Sequence, residues 1–208
     1  HQSLGVCPQA AAANDLDSVQ LAQSLKKVVL YGSAMNGRGI EPGLELQVGA
    51  AAHPALRPLG LNLLRLKKKV SVGADFLITR PVFDPDGFSE WLDAVRAADL
   101  DKRTAIFAGV MPLTSAAQAE EWRRAHPESP AGDAVAARMR GAADAEREGV
   151  AIAAEAAARL KELPGVRGIH ILCGGCEHLA EAVMDEAGLF RVEPVDAQVS
   201  RIASILSL

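Results

Sequence analysis

The apolar positions along this chain switch repeatedly between two periods. Short apolar runs that suit strands are followed by stretches whose apolar residues recur three and four apart, as on one side of a helix. The first strand is expected over 44–52, ended by His53-Pro54. A helix is expected over 59–72, with Leu59, Leu63, Leu66 and Val70 as its buried stripe and Gly73 ending it. Residues 76–79 form the next strand, stopped by Pro81, and Phe88, Trp91, Leu92 and Val95 mark the helix after it, entered through Asp84-Pro85-Asp86. A third strand spans 104–110 and is closed by Met111-Pro112, after which Ser115 caps a helix. An alanine-rich helical stretch covers 133–163, with breaks expected at Gly141 and Gly149. The fourth strand is 166–172, followed by a helix over 177–187 and a final amphipathic helix over 196–208.

Upstream of residue 44 the pattern is less regular. Residues 1–14 read as a loop. Asp15 or Asp17 can cap a helix reaching about Leu30, with Val19, Leu21, Leu25 and Val28 as its apolar side. The glycine-rich stretch from Gly32 to Gly39 lacks the preceding strand and following helix of a phosphate loop, so a surface connection is expected. The chain thus divides into a loop and helix over 1–43 and four β/α units over 44–208.

Strands that alternate with helices imply parallel pairing through right-handed crossovers. Strands that are short apolar runs imply a sheet covered on both faces. The pattern allows an open doubly wound sheet or a barrel, although no dinucleotide fingerprint follows any strand.

Composition narrows the function classes. The 208 residues are 49% hydrophobic and 4% aromatic, with a net charge of −4 and both signs mixed along the chain. No basic footprint for nucleic acid emerges. No apolar run reaches the roughly 18 residues of a membrane span, and no signal peptide is visible. Cys7, Cys173 and Cys176 are too few for a disulfide scaffold, so a cytoplasmic setting is expected. The start at His1 rather than Met fits a fragment or a processed product.

Several segments resemble the methylenetetrahydrofolate reductase family. These are Val48-Gly49-Ala50-Ala51-Ala52-His53-Pro54, Leu63-Leu64-Arg65-Leu66-Lys67-Lys68-Lys69-Val70, and Gly73-Ala74-Asp75-Phe76-Leu77-Ile78-Thr79. The likeness continues through Pro81-Val82-Phe83-Asp84, Ala108-Gly109-Val110-Met111-Pro112-Leu113-Thr114-Ser115 and Gly168-Ile169-His170-Ile171, and Asp15-Leu16-Asp17-Ser18-Val19 is similar to the segment before them. The resemblance implies an α/β fold, the C-terminal half of a TIM-type (β/α)8 barrel of about four β/α units. It implies FAD as cofactor, NADH or NADPH as hydride donor, and reduction of 5,10-methylenetetrahydrofolate to 5-methyltetrahydrofolate. It places the catalytic acid, and the carboxylate beside the flavin ring, in the absent first half. No catalytic residue is therefore assigned. Half a barrel leaves open strand edges, so an N-terminal half-barrel chain or a homo-oligomer is the expected partner.

Asn62, Arg65 and Lys69 are spaced three and four apart and share one helix face, flanked by Lys68. Such a basic cluster can hold a pyrophosphate or can be a solvated lysine run. The resemblance assigns it to the flavin's ribityl and phosphate groups, with Asn62 replacing an acid and Arg65 an amide of some members. His53 ends a strand and is a further flavin contact by resemblance, or a structural hydrogen-bonder. Arg80 stands at the rim where many members carry glutamine, and implies a changed contact to folate or to another anion. Its plainer reading is an ion pair with an acid such as Asp84. Gln118 and Trp122 share a helix face and, by resemblance, contact folate. Otherwise the tryptophan packs between helices and the glutamine is solvated. The Cys173-Gly174-Gly175-Cys176 segment, with His170 and His178 near it, is structural, redox-active or half of a metal site. Two other functions remain open: a non-catalytic flavin- or folate-binding subunit, and a redox or metal module on those cysteines.

Overall fold

A computed structural model describes residues 16–33, 36–39, 46–127 and 129–189. Four strands, β1 (Gly49–Ala52), β2 (Phe76–Pro81), β3 (Ala105–Val110) and β4 (Val166–Ile171), pair in parallel in their chain order. A doubly wound sheet reverses its order at a switch point, whereas a barrel adds each strand beside the last. The sequential order makes this α/β sheet a partial (β/α)8 barrel of the TIM type.

The connections are helical: α2 (Leu59–Ser71) between β1 and β2, α3 (Pro85–Ala97) between β2 and β3, and three helices between β3 and β4. Those three are α4 (Ala116–Ala125), α5 (Gly132–Gly141) and α6 (Ala145–Leu160). After β4 a 3₁₀ turn (Glu177–Leu179) leads into α7 (Ala180–Glu186), and α1 (Ser18–Tyr31) precedes the sheet. Asp17, Asp84 and Ser115 start helices as the sequence implies, each accepting a backbone N–H in the first turn. Asp144, which the sequence did not single out, does the same for α6.

Leu77, Ile106, Ala108 and Val110 point from the sheet into the main core. They meet Leu66 and Val70 of α2, Phe88, Trp91 and Val95 of α3, and Ala153, Ala157 and Leu160 of α6. A smaller core joins Leu113, Ala119, Val135, Met139 and Ile152, and fixes α4 and α5 over the exit of β3. The opposite sheet face carries Phe76, Ile78 and Phe107, all half-buried, with the two phenyl rings edge-on at 6.0 Å.

Four expectations change. β1 is shorter than 44–52, because Val48 bonds the Asp75 carboxylate (2.7 Å) and accepts from the Asp75 N–H (2.8 Å); residues 44 and 45 lie outside the described residues. Gly149 does not break its helix. It lies within α6, where a Cβ would collide with the Leu113 carbonyl, so glycine permits the helix to press on the chain leaving β3. Leu21 and Leu25 do not form a buried side of α1: they are 50% and 44% exposed, and Ala22 is the buried residue. What ties α1 down is polar, the Lys26 Nζ to Asp75 ion pair at 2.6 Å. Finally, 177–187 is not one helix but a 3₁₀ turn that runs into α7. The loop over 1–14 and the helix over 196–208 lie outside the described residues.

Candidate functional site

The C-terminal ends of β1 and β2 meet at a pair of side chains. Arg80 Nε donates to His53 Nε2 over 2.9 Å, which requires the His53 ring to accept at that nitrogen. Thr79 sets the position of Arg80. Its buried hydroxyl accepts from the Gly109 N–H (2.8 Å) and donates to the Arg80 carbonyl (3.0 Å), where the β2–β3 register slips between Ile78 and Pro81. Such a slip bends a strand and re-aims its side chains. Gly109 belongs to the same arrangement, since a Cβ there would lie 2.5 Å from the Thr79 carbonyl oxygen.

His53 and Arg80 line a pocket with Trp122 and His126. The sequence reading missed His126, although its spacing of four from Trp122 puts the two on one side of the helix. It stacks on Trp122 with centroids 4.6 Å apart and an interplanar angle of 16°, and its Nδ1 lies 2.9 Å from the Trp122 carbonyl. Phe83 packs edge-on against the indole, with ring centroids 4.5 Å apart. Trp122 is therefore a packed residue, 9% exposed, whose face is already covered by imidazole. It forms a wall of the pocket rather than an open stacking platform. Gln118, one turn earlier on α4, uses its Oε1 to accept from the Thr114 N–H (2.8 Å). That bond braces the loop between β3 and α4.

Arg80 is exposed and has no ion pair with Asp84. Asp84 is occupied as the α3 cap, its Oδ1 accepting from the Gly87 N–H at 3.1 Å. Arg57, also in the pocket lining, is engaged by Glu90 (3.3 Å) and the Pro54 carbonyl (3.1 Å).

The α2 residues divide by burial. Asn62 is 5% exposed, and its Nδ2 donates to the His53 carbonyl (2.7 Å) and the Leu56 carbonyl (3.2 Å). It holds the turn that presents His53 and has no donor left for a ligand. Arg65 and Lys68 are exposed, while Lys69 is half-buried and donates to the Ala51 carbonyl at 2.7 Å. Burial first, and the Arg65 charge second, hold the Lys69 ammonium below its usual pKa. None of Arg65, Lys68 and Lys69 has a carboxylate partner among the described residues. This uncompensated positive face fits an anionic pyrophosphate; the buried amide of Asn62 does not. The cationic helix and the rim pocket are separate surfaces joined through His53, whose side chain faces the pocket and whose carbonyl holds Asn62.

Cys173 and Cys176 are buried free thiols on the loop after β4. Burial pushes both thiols up, with the neighbouring Glu177 adding to the shift. That environment opposes the thiolate that redox chemistry needs. Among the described residues no group of three or more His, Cys, Asp or Glu side chains could hold a metal ion. No described helix is long and apolar enough to cross a membrane.

The sequence model of the methylenetetrahydrofolate reductase family matches residues 41–188. Methylenetetrahydrofolate reductase 2 of Saccharomyces cerevisiae is 37% identical over 79 residues, which cover 35% of this chain and 13% of that protein. Methylenetetrahydrofolate reductase 1 of Schizosaccharomyces pombe is 38% identical over 73 residues, covering 33% of this chain and 12% of that one. The aligned part thus spans a small fraction of these relatives. An uncharacterised Clostridium thermocellum protein, solved with two copies of 5-methyl-5,6,7,8-tetrahydrofolic acid, has a similar fold. Its TM-score is 0.53 at 15% identity, over 70% of this chain and 54% of that one.

Proposed function

The chain belongs to the methylenetetrahydrofolate reductase family, and from that premise we propose that it forms the flavin- and folate-contacting part of an enzyme that reduces 5,10-methylenetetrahydrofolate to 5-methyltetrahydrofolate. The observation that carries the reading is the meeting of Arg80, His53 and Trp122 in one pocket at the strand tips, the face on which barrel enzymes place their chemistry. The Clostridium thermocellum protein, titled as binding a reduced folate, lends support to a folate ligand.

FAD, when bound, supplies hydride transfer between a nicotinamide donor, NADH or NADPH, and the folate. The residues proposed to hold its phosphates are Arg65, Lys68 and Lys69, through charge-assisted hydrogen bonds. Lys69 is the best placed of them: its ammonium is half-buried, already oriented by the Ala51 carbonyl, and retains two further N–H donors. His53 faces the rim and is proposed to contact the flavin while it fixes the plane of the Arg80 guanidinium. Asn62 acts one step back, by holding the His53 carbonyl.

The folate is proposed to lie against the Trp122–His126 wall, with Arg80 donating to it and the Gln118 amide nitrogen reaching it from the first turn of α4. Asp84 is the pocket's carboxylate and is committed to capping α3. The proton donor is therefore proposed to come from the remaining units of the barrel, on further chain or on a partner. Phe76, Ile78 and Phe107, on the sheet face that no described helix covers, would pack against those units.

The test is titration of the full chain with FAD, followed by flavin absorbance and fluorescence. A yellow complex is expected, weakened by about tenfold in Lys69→Met, the scale of one charged hydrogen bond. No bound flavin, or an affinity indifferent to Lys69, would remove the cofactor site. Reduced nicotinamide should not be consumed by this chain alone; steady turnover would place the proton donor within it.

A further inference from the structure

Arg80 lines the pocket with part of its guanidinium unengaged. Its Nε is fixed on His53, yet Nη1 and Nη2 have no protein partner among the described residues. Asp84, the carboxylate in the lining of the same pocket, caps α3 and makes no ion pair with Arg80. Arg80 lines the pocket whose wall is the Trp122–His126 stack, and also the groove that Ala51, Ile78 and Leu172 line. A guanidinium is permanently charged and donates only, so it recognises groups that only accept and carry negative charge.

We propose that Arg80 is a specificity-determining residue whose free Nη1/Nη2 edge binds a carboxylate of the ligand, which for a folate means the glutamate tail. This rests on the folate reading above. Neutral pterin and aminobenzoyl rings offer no anion at pH 7, so within a folate the charge complement falls to the glutamate carboxylates. His53 is a positioning residue here, because it anchors Nε and leaves the carboxylate-matching edge outward. A phosphate of the nicotinamide dinucleotide presents the same acceptor chemistry, and the experiment separates the two sources.

The full chain is titrated with 5-methyltetrahydrofolate, with its analogue lacking the glutamate, and with the reduced nicotinamide dinucleotide. The wild type should bind the glutamate-bearing compound about tenfold tighter than the analogue, as expected for one charge-assisted guanidinium–carboxylate contact. Arg80→Gln should erase that difference, with the larger loss falling on the glutamate-bearing compound, while Arg80→Lys should keep part of it. His53→Ala should reduce the discrimination without abolishing binding of the analogue. Equal affinities for both folates in the wild type overturn the proposal while leaving the folate reading intact. Loss of dinucleotide binding in Arg80→Gln, with folate discrimination unchanged, overturns it in favour of a phosphate contact. Failure of both folates to bind defeats the folate reading and this proposal with it. Arg80 is exposed, so a circular dichroism spectrum matching the wild type is expected for each Arg80 variant.

Discussion

Arg80 and His53 lie 27 positions apart and meet through a single Nε–Nε2 hydrogen bond of 2.9 Å, which joins the exits of β1 and β2. Neither side chain is positioned by its neighbours in sequence alone. His53 is held by Asn62 through its carbonyl, and Arg80 by the Thr79 hydroxyl where the strands change register. The rim is thus assembled from hydrogen bonds within the β1–α2 unit and across the exits of β1, β2 and β3.

At the other end of the barrel, Asp75 joins three elements. It accepts two contacts of 2.6 Å from Lys26 and one of 2.7 Å from the Val48 N–H. Partial burial opposes ionisation, but the Lys26 and Val48 bonds outweigh it and hold the Asp75 carboxyl below the usual carboxylate range. Its contribution is therefore present above the unfolded-state pKa and is lost as pH falls through the lower folded value. Asp75→Asn is expected to cost about 1–2 kcal/mol at pH 7, with the gap to wild type closing in acid. Chemical denaturation at pH 7 and below pH 4 measures this, and a gap that persists in acid would remove the ion pair as its cause.

His170 buries both ring nitrogens without a hydrogen-bond partner among the described residues, and burial lowers its pKa. The folded chain therefore disfavours the imidazolium. Stability should fall as pH drops through the unfolded-state value of about 6.5. His170→Leu removes the titrating ring and its unmet polar atoms. Its melting temperature should be unchanged or higher at pH 7.5 and should fall less between pH 7.5 and 5.5. A loss of more than about 2 kcal/mol at pH 7.5 would mean that the ring has a strong polar partner.

Gly149 allows α6 to lie against the Leu113 carbonyl. Gly149→Ala would ordinarily favour a helix by up to about 1 kcal/mol. Here the added methyl meets backbone that cannot swing aside, and a net loss of about 2 kcal/mol or more is expected. Urea titration gives the sign directly, and a stabilised variant would show that the close approach is absent in solution.

Cys173 and Cys176 should behave as packed thiols. Reaction with an aromatic disulfide reagent at pH 7 is expected to be at least about tenfold slower in the native chain than in urea, because burial opposes the thiolate. Rapid native labelling of either cysteine would revive a redox role for the loop.

The order of elements was legible because each carries its own signature. Leu59, Leu63, Leu66 and Val70 repeat at the helical period, Asp84-Pro85 and Ser115 begin helices with local hydrogen bonds, and the short apolar runs can be buried only in a covered sheet. Motif resemblance singled out His53, Arg80 and Trp122 in advance, yet it could not say what each side chain would touch. That depended on how the side chains pack once the elements are assembled. Asn62 turns inward to the His53 carbonyl while Arg65, three residues on, stays in solvent, although spacing alone puts them on one face. Trp122 finds His126 one turn later because α4 ends there and the smaller core holds it down. Gly149 reads as a break until Leu113 is seen pressed against it. Hydrophobic periodicity and capping act over a few residues, so the chain itself determines them. Which polar atoms remain free to bind a ligand is decided by packing between distant units, and only the assembled sheet and its helices settle it.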